Sequence, residues 1–170
     1  MRREYPDAPI AGVGAVITAE RSNGEPAVLL IRRAQEPLKG EWSLPGGAVE
    51  LGETLEAAIR REVLEETGLP VDVVEVVKAF DRIVREVDGR VRYHYVLVDF
   101  LCRVTGEADL ARPVVCSTDA LEARWAGPDD LAGLTPLTVE VIRRSWRMSA
   151  DIYVSREMVH GDDRNPHPKT

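Results

Sequence analysis

Apolar positions recur along this chain in two rhythms. Short aliphatic runs, set off by glycine and polar clusters, mark strands. A stretch with three- and four-residue spacing, Thr54 to Thr67, marks a helix. Ile10 to Ala19 is small and aliphatic, interrupted by Gly12 and Gly14, and reads as the first strand. Ala27 to Arg33 is a buried strand ending in two basic residues, and Pro37 to Trp42 is a loop. Val71 to Val84 is rich in β-branched residues, and Val87-Asp88-Gly89-Arg90 is a hairpin turn leading into Val91 to Val104. In that second arm Arg92, His94 and Val96 share one face, and Tyr93, Tyr95 and Leu97 the other. Ala120 to Trp125 is a short strand, and Pro128 to Leu131 opens a short helix with proline at its first turn. Thr138 to Met148 is a final helix with Val139, Ile142 and Trp146 on one side. From Ser149 the chain turns polar and irregular. These elements predict an α/β fold, an α/β/α sandwich with a mixed central sheet. The expected domain runs over 8–148, with a partly mobile tail over 149–170.

The helix from Thr54 to Thr67 has good helix formers and no internal glycine or proline, and Gly68 and Pro70 end it. At about 100° per residue, Leu55, Ile59 and Val63 share one face with Glu62 and Glu66, and Glu65 lies at its edge. A solvated helix laced with ion pairs explains part of this pattern: Glu56–Arg60 and Arg61–Glu65 are four apart in the favourable order. It does not explain Glu62 and Glu66. Carboxylates on an apolar stripe are desolvated and repel one another unless a cation or hydrogen bonds compensate. Clustered hard oxygen ligands suit Mg²⁺ or Mn²⁺ better than zinc. Gly46 and Gly47, upstream of the helix, let backbone pass such a site without a Cβ in the way. A glycine turn followed by a carboxylate helix is what a divalent metal on a polyphosphate requires.

Charge changes this picture only in part. The net charge of −7 disfavours sequence-nonspecific binding to long nucleic acid, yet a small anionic substrate is compatible with it once a metal reverses the local sign. The two cysteines, Cys102 and Cys116, lack the spacing of a metal cluster and read as free thiols. The start of the chain carries no signal-peptide pattern, and no segment approaches a membrane span, so the expected location is the cytoplasm with no membrane partner.

The segment resembles the Nudix box, G-x5-E-x7-R-E-U-x-E-E-x-G-U with U aliphatic, at every defined position. Gly47, Glu53, Arg61, Glu62, Val63, Glu65, Glu66, Gly68 and Leu69 fill it, and Trp42-Ser43-Leu44-Pro45-Gly46-Gly47 is similar to the family's lead-in. In outline the resemblance covers Ile10 to Arg147. It implies the Nudix fold and a metal-dependent pyrophosphohydrolase. It implies that Glu62, Glu65 and Glu66, with the Gly46 carbonyl, hold Mg²⁺ or Mn²⁺. It further implies that Arg61 orients the carboxylates and that Glu53 assists with the attacking water. Family members differ in their general base. Glu86, Asp88, Asp119 and Glu122 are the downstream candidates here.

Substrate contacts are less legible. Trp42, Phe80, Tyr93 and Tyr95 are candidates to stack a base, and Arg32, Arg33, Lys39, Arg82 and Arg85 to meet phosphate. Arg82 and Tyr93, which flank the hairpin, are the pair selected as substrate-binding. No proline lies between Pro70 and Pro113, and Val84 and Arg85 stand where some subfamilies carry tyrosine, so neither subfamily marker is met. The overall look is similar to an ADP-ribose pyrophosphatase-like group. That favours a nucleoside diphosphate linked to another group, ahead of a house-cleaning nucleoside triphosphate pyrophosphatase or a non-catalytic nucleotide-sensing module. The resemblance and the aliphatic first strand also lead to an expected homodimer.

Overall fold

The computed structural model describes residues 2–35, 38–105 and 120–160, with side chains described as far as 152. Asp119 and Cys116 therefore lie outside the described residues, as does the tail beyond 160. The strands are β1 (Ile10–Glu20), β2 (Pro26–Arg33), β3 (Trp42–Ser43), β4 (Gly46–Ala48), β5 (Val71–Arg85), β6 (Val91–Val104) and β7 (Ala120–Ala126). The helices are α1 (Leu55–Thr67) and α2 (Pro136–His160), with a 3₁₀ turn at Pro128–Asp130.

Among the described residues the sheet has seven strands, with the path β3-β2-β1-β6-β5, and β4 and β7 joining β1 and β2. It is mixed: β1 runs parallel to β6 and antiparallel to β2 and β4. Side chains alternate between its faces. Val13, Ala15, Ile17, Leu29, Phe100 and Cys102 form one core with Ala58, Ile59 and Val63 of α1. Val16, Val28, Leu30, Val77 and Leu101 form a second with Val141 and Ile142 of α2. This is the α/β/α sandwich that the pattern predicted.

α1 follows its local signals. The Thr54 hydroxyl accepts from the Ala57 N–H at its start, and Gly68, at φ 69°, donates back to the Leu64 carbonyl at its end. One periodic position differs from expectation: Leu55 lies at the exposed first turn rather than in the core. α2 differs more. It begins at Pro136, capped by the Thr135 hydroxyl, and continues to His160, past the expected end at Met148. Polarity after Ser149 does not stop it, because no glycine or proline intervenes before Gly161. The expected boundary at 148 thus falls inside a helix.

The aliphatic β1 is a central strand, bonded on both sides, and its apolar residues are consumed by the core. It therefore offers no surface for dimerisation, contrary to the expectation built on it. Exposed aliphatic residues sit instead on the edge strand β5, at Val74, Val76 and Ile83, with Val96 on β6.

Strand register sets up the site. Gly14 of β1 pairs with Gly46 of β4 on one side and with Asp99 of β6 on the other, and Asp99 pairs with Lys78 of β5. These four residues form one row across the sheet.

Candidate active site

The turn from Pro45 into β4 lies over the face of α1 that carries the carboxylates. Gly46 is at φ 146°, and a Cβ there would collide with the Val13 carbonyl. Its N–H donates to Glu66 Oε2 at 2.8 Å. Gly47 follows, and a Cβ there would collide with the Glu62 carboxylate. Two adjacent positions thus require glycine for different reasons, a backbone angle and a close approach.

Arg61 gathers the remaining acids. Its Nε and Nη2 donate to the two oxygens of Glu53, both at 2.9 Å. Its Nη1 reaches Glu62 at 2.9 Å and Glu65 at 3.3 Å, and Nη2 also meets the Ala48 carbonyl at 3.2 Å. The hydrogen bonds from Arg61 and from the Glu50 N–H hold the Glu53 carboxyl below its ordinary value. Burial pushes the Glu62 carboxyl the other way, upward, against the pull of Arg61. Glu66 is 4% exposed, whereas half of the Glu65 side chain is open to solvent. A desolvated glutamate beside a second buried one is a place where a cation lowers the free energy.

Among the described residues no three acidic, histidine or cysteine side chains form a closed metal cage. An open set of carboxylates still fits Mg²⁺, which keeps several waters and takes further ligands from substrate phosphate.

A cavity of about 350 Å³ opens beside this cluster, on the α2 side of the sheet. Gly46, Gly47 and Ala48 form one lip, and Leu137 and Thr138 from the start of α2 form another. Phe80, Arg82, Tyr95, Leu97 and Asp99 line it from β5 and β6, with Arg3 and Arg33 also present. Arg3 is held near by the segment before β1. There the Tyr5 N–H donates to the Arg92 carbonyl at 2.8 Å and its hydroxyl to Glu86 at 3.0 Å, while Arg92 pairs with Glu4 at 2.7 Å.

The sequence-selected residues divide accordingly. Glu53, Arg61, Glu62, Glu65, Glu66 and Gly46 come together as one cluster. Arg82 lines the cavity; Tyr93 is not among its lining residues, and stacks on Tyr95 at 6.4 Å between centroids. Trp42 is likewise elsewhere, with Arg124 over its ring at 4.4 Å. Of the general-base candidates, Glu86 holds Tyr5, Asp88 pairs with Arg90 in the hairpin, and Glu122 pairs with Arg32. None of these three lines the cavity.

Asp99 and Arg3 escaped the sequence reading. Arg3 gave no signal. Asp99 gave one, a single acid inside the apolar run Tyr95 to Cys102. It is 6% exposed, and burial raises its carboxyl to about 7 despite the opposing Lys78 charge. Lys78 itself is bonded to Glu140 of α2 at 2.6 Å.

A pH signature follows. The folded carboxyl titrates above its unfolded value, so its contribution to stability is complete below about pH 4 and is lost as pH rises towards 7. Asp99→Asn removes this loss. In metal-free urea unfolding, the variant should gain on the parent through that window, by up to roughly 4 kcal/mol at pH 8. A stability gap that stays flat with pH would contradict the assignment.

Comparison with known proteins accords with this geometry. The NUDIX domain model matches residues 8–146. The chain is 37% identical over 119 residues to a putative nudix hydrolase 1 of Caenorhabditis elegans, covering 70% of this chain but only 29% of that protein. It is 42% identical over 79 residues to an ADP-ribose pyrophosphatase of Methanocaldococcus jannaschii, covering 46% of this chain and 44% of that one. The chain thus spans less than half the length of either relative. Among solved structures, the NUDIX domain of Shewanella oneidensis NrtR complexed with ADP ribose superposes with a TM-score of 0.65 over 85% of this chain and 90% of that one. At 22% identity that likeness speaks for the fold alone. With the family model spanning nearly the whole described sandwich and the box carboxylates gathered around Arg61, the chain belongs to the Nudix family.

Proposed function

We propose that this chain is a divalent-metal-dependent hydrolase of the pyrophosphate bond in a nucleoside diphosphate joined to a second group, with ADP-ribose the favoured substrate. One observation carries the reading: Glu62 and Glu66 converge on the Gly46–Gly47 turn at the lip of a cavity that also holds aromatic side chains and arginines. The name of the archaeal relative supports the choice of ADP-ribose.

In this reading Glu62, Glu65 and Glu66, with the Gly46 carbonyl, hold Mg²⁺ or Mn²⁺. The bound metal supplies charge neutralisation at the phosphoryl groups and an acidified water. Arg61 keeps the carboxylates in place, and Glu53, anchored by both of its oxygens, assists near the water. Arg3, Arg33 and Arg82 meet the outer phosphate and the linked group, while Phe80 and Tyr95 provide flat surface for a base. The protein acts as a cytoplasmic enzyme on a small nucleotide, with neither long nucleic acid nor membrane as partner. Among the described residues no helix is long and apolar enough to cross a membrane.

The deciding experiment is phosphatase-coupled phosphate release with Mg²⁺ and with Mn²⁺. The panel holds ADP-ribose, NADH, dinucleoside polyphosphates, nucleotide sugars, and normal and oxidised nucleoside triphosphates. Preference for ADP-ribose supports the reading. Preference for a triphosphate replaces it with the house-cleaning alternative, and no turnover by metal-binding protein points to a sensor.

We also propose a homodimer, now through the exposed Val74, Val76 and Ile83 of β5 rather than through β1. Light scattering should give twice the chain mass, and Val76→Asp should shift it towards the monomer. A monomeric parent at working concentration would remove this proposal.

A further inference from the structure

The cavity is unevenly equipped. Its lips carry backbone and arginines, but the sheet surface beneath is formed by Phe80, Tyr95 and Leu97, with one buried acid, Asp99, besides the exposed Asp81. That acid is more than nine-tenths buried, and no hydrogen bond to it occurs among the described residues. Its cross-strand neighbour Lys78 is bonded to Glu140 instead. The side chain also depends on a small neighbour, since a Cβ on Gly14 would collide with Asp99 Oδ1. A carboxyl with so little exposure gains free energy from any donor that reaches it. One that faces a cavity, with a glycine making room for it, is accounted for when a ligand supplies the missing donor.

The surroundings restrict that ligand. A sugar carries donors and acceptors around its whole rim and would leave many unpaired against apolar and aromatic walls. A nucleobase has two flat apolar faces and a polar edge, which suits Phe80 and Tyr95 beside one acid. Once ionised, as at pH 8, the acid only accepts, and on the edge of a base the group that can match it is an N–H.

We infer that Asp99 is a specificity-determining residue that accepts a hydrogen bond from the exocyclic amine of an adenine base seated on the sheet face of this cavity. The choice of adenine rests on the ADP-ribose reading; the requirement for an N–H donor does not. Hypoxanthine, which replaces the amine with a carbonyl oxygen, sets two acceptors against each other at this position. Asp99→Asn supplies an amide donor and should favour that oxygen.

The test is calorimetric binding of AMP and IMP to metal-free protein at pH 8, for the parent and for Asp99→Asn. Hydrolysis of ADP-ribose and of its hypoxanthine counterpart with Mg²⁺ is measured in parallel. The parent should bind AMP at least about tenfold more tightly than IMP, and Asp99→Asn should erase or reverse that ratio. Equal binding by the parent, binding of neither, or the same ratio in Asp99→Asn would overturn the inference. Tighter binding of GMP than AMP would also overturn it, in favour of the adjacent N–H pair of guanine. The two readings fail separately. Equal hydrolysis of both ADP-ribose forms removes the role of Asp99 and leaves the enzyme reading intact. AMP preference without ADP-ribose hydrolysis does the reverse.

Discussion

Glu66→Gln is expected to lower Mg²⁺-dependent turnover about a thousandfold, or roughly 4 kcal/mol in the barrier, while the protein stays folded. The two halves of this result have separate causes. Glu66 is buried and accepts the Gly46 N–H through Oε2. Glutamine has the same shape and a carbonyl oxygen that can take over that bond, so the turn above α1 keeps its path. What disappears is the negative charge. A divalent cation between carboxylates and phosphates loses far more from a missing charge than from a slightly altered ligand position. Unfolding curves and circular dichroism should match the parent closely, with the loss confined to turnover and metal affinity. Parent-like activity in a folded Glu66→Gln protein would sink its assignment as a metal ligand.

Arg61→Ala should show the second largest effect, and should strike stability and activity together. Arg61 spans Glu53, Glu62, Glu65 and the Ala48 carbonyl with one planar group. Removing it leaves two poorly exposed carboxylates, Glu53 and Glu62, without their shared cation. Partial solvent access softens the penalty, to about 2 kcal/mol of unfolding free energy. Turnover should fall about a hundredfold, because the Glu53 carboxylate loses both of its anchoring bonds. Arg61→Lys is the informative companion. A single ammonium cannot bridge both Glu53 oxygens while reaching Glu62, so lysine should restore part of the stability and little of the activity. Full activity in the lysine variant would show that charge alone suffices and that the fork geometry is dispensable.

Adding Mg²⁺ should narrow the stability difference between Arg61→Ala and the parent, since the cation compensates the same carboxylates. Thermal melts with and without Mg²⁺ check this. Unequal stabilisation in favour of the parent would mean that Arg61 organises the metal ligands more than it neutralises them.

The sequence by itself determined the helix, its caps and the acid cluster, because these depend on neighbours a few residues apart. Thr54, Gly68 and the spacing of Glu62 and Glu66 act within one or two helical turns. Strand positions were legible for a similar reason: alternation and turn residues are local. The end of α2 differs from the change in polarity at Ser149 because a helix ends at a breaker, and none lies between Thr138 and Gly161.

Only the tertiary structure decided which side chains share the cavity. Tyr93 and Tyr95 sit on the same face of one strand, and sequence offered no reason to prefer the second. The exposed Arg3 reaches the cavity through hydrogen bonds between its segment and the distant β5–β6 hairpin. Asp99 packs beside Gly14, in one row with Gly46, because β6 pairs in parallel with β1 while β4 pairs with β1 on the other side. Such pairings join segments far apart in the chain. Their register is fixed by burial of both faces of the sheet, not by any residue near Asp99 in sequence.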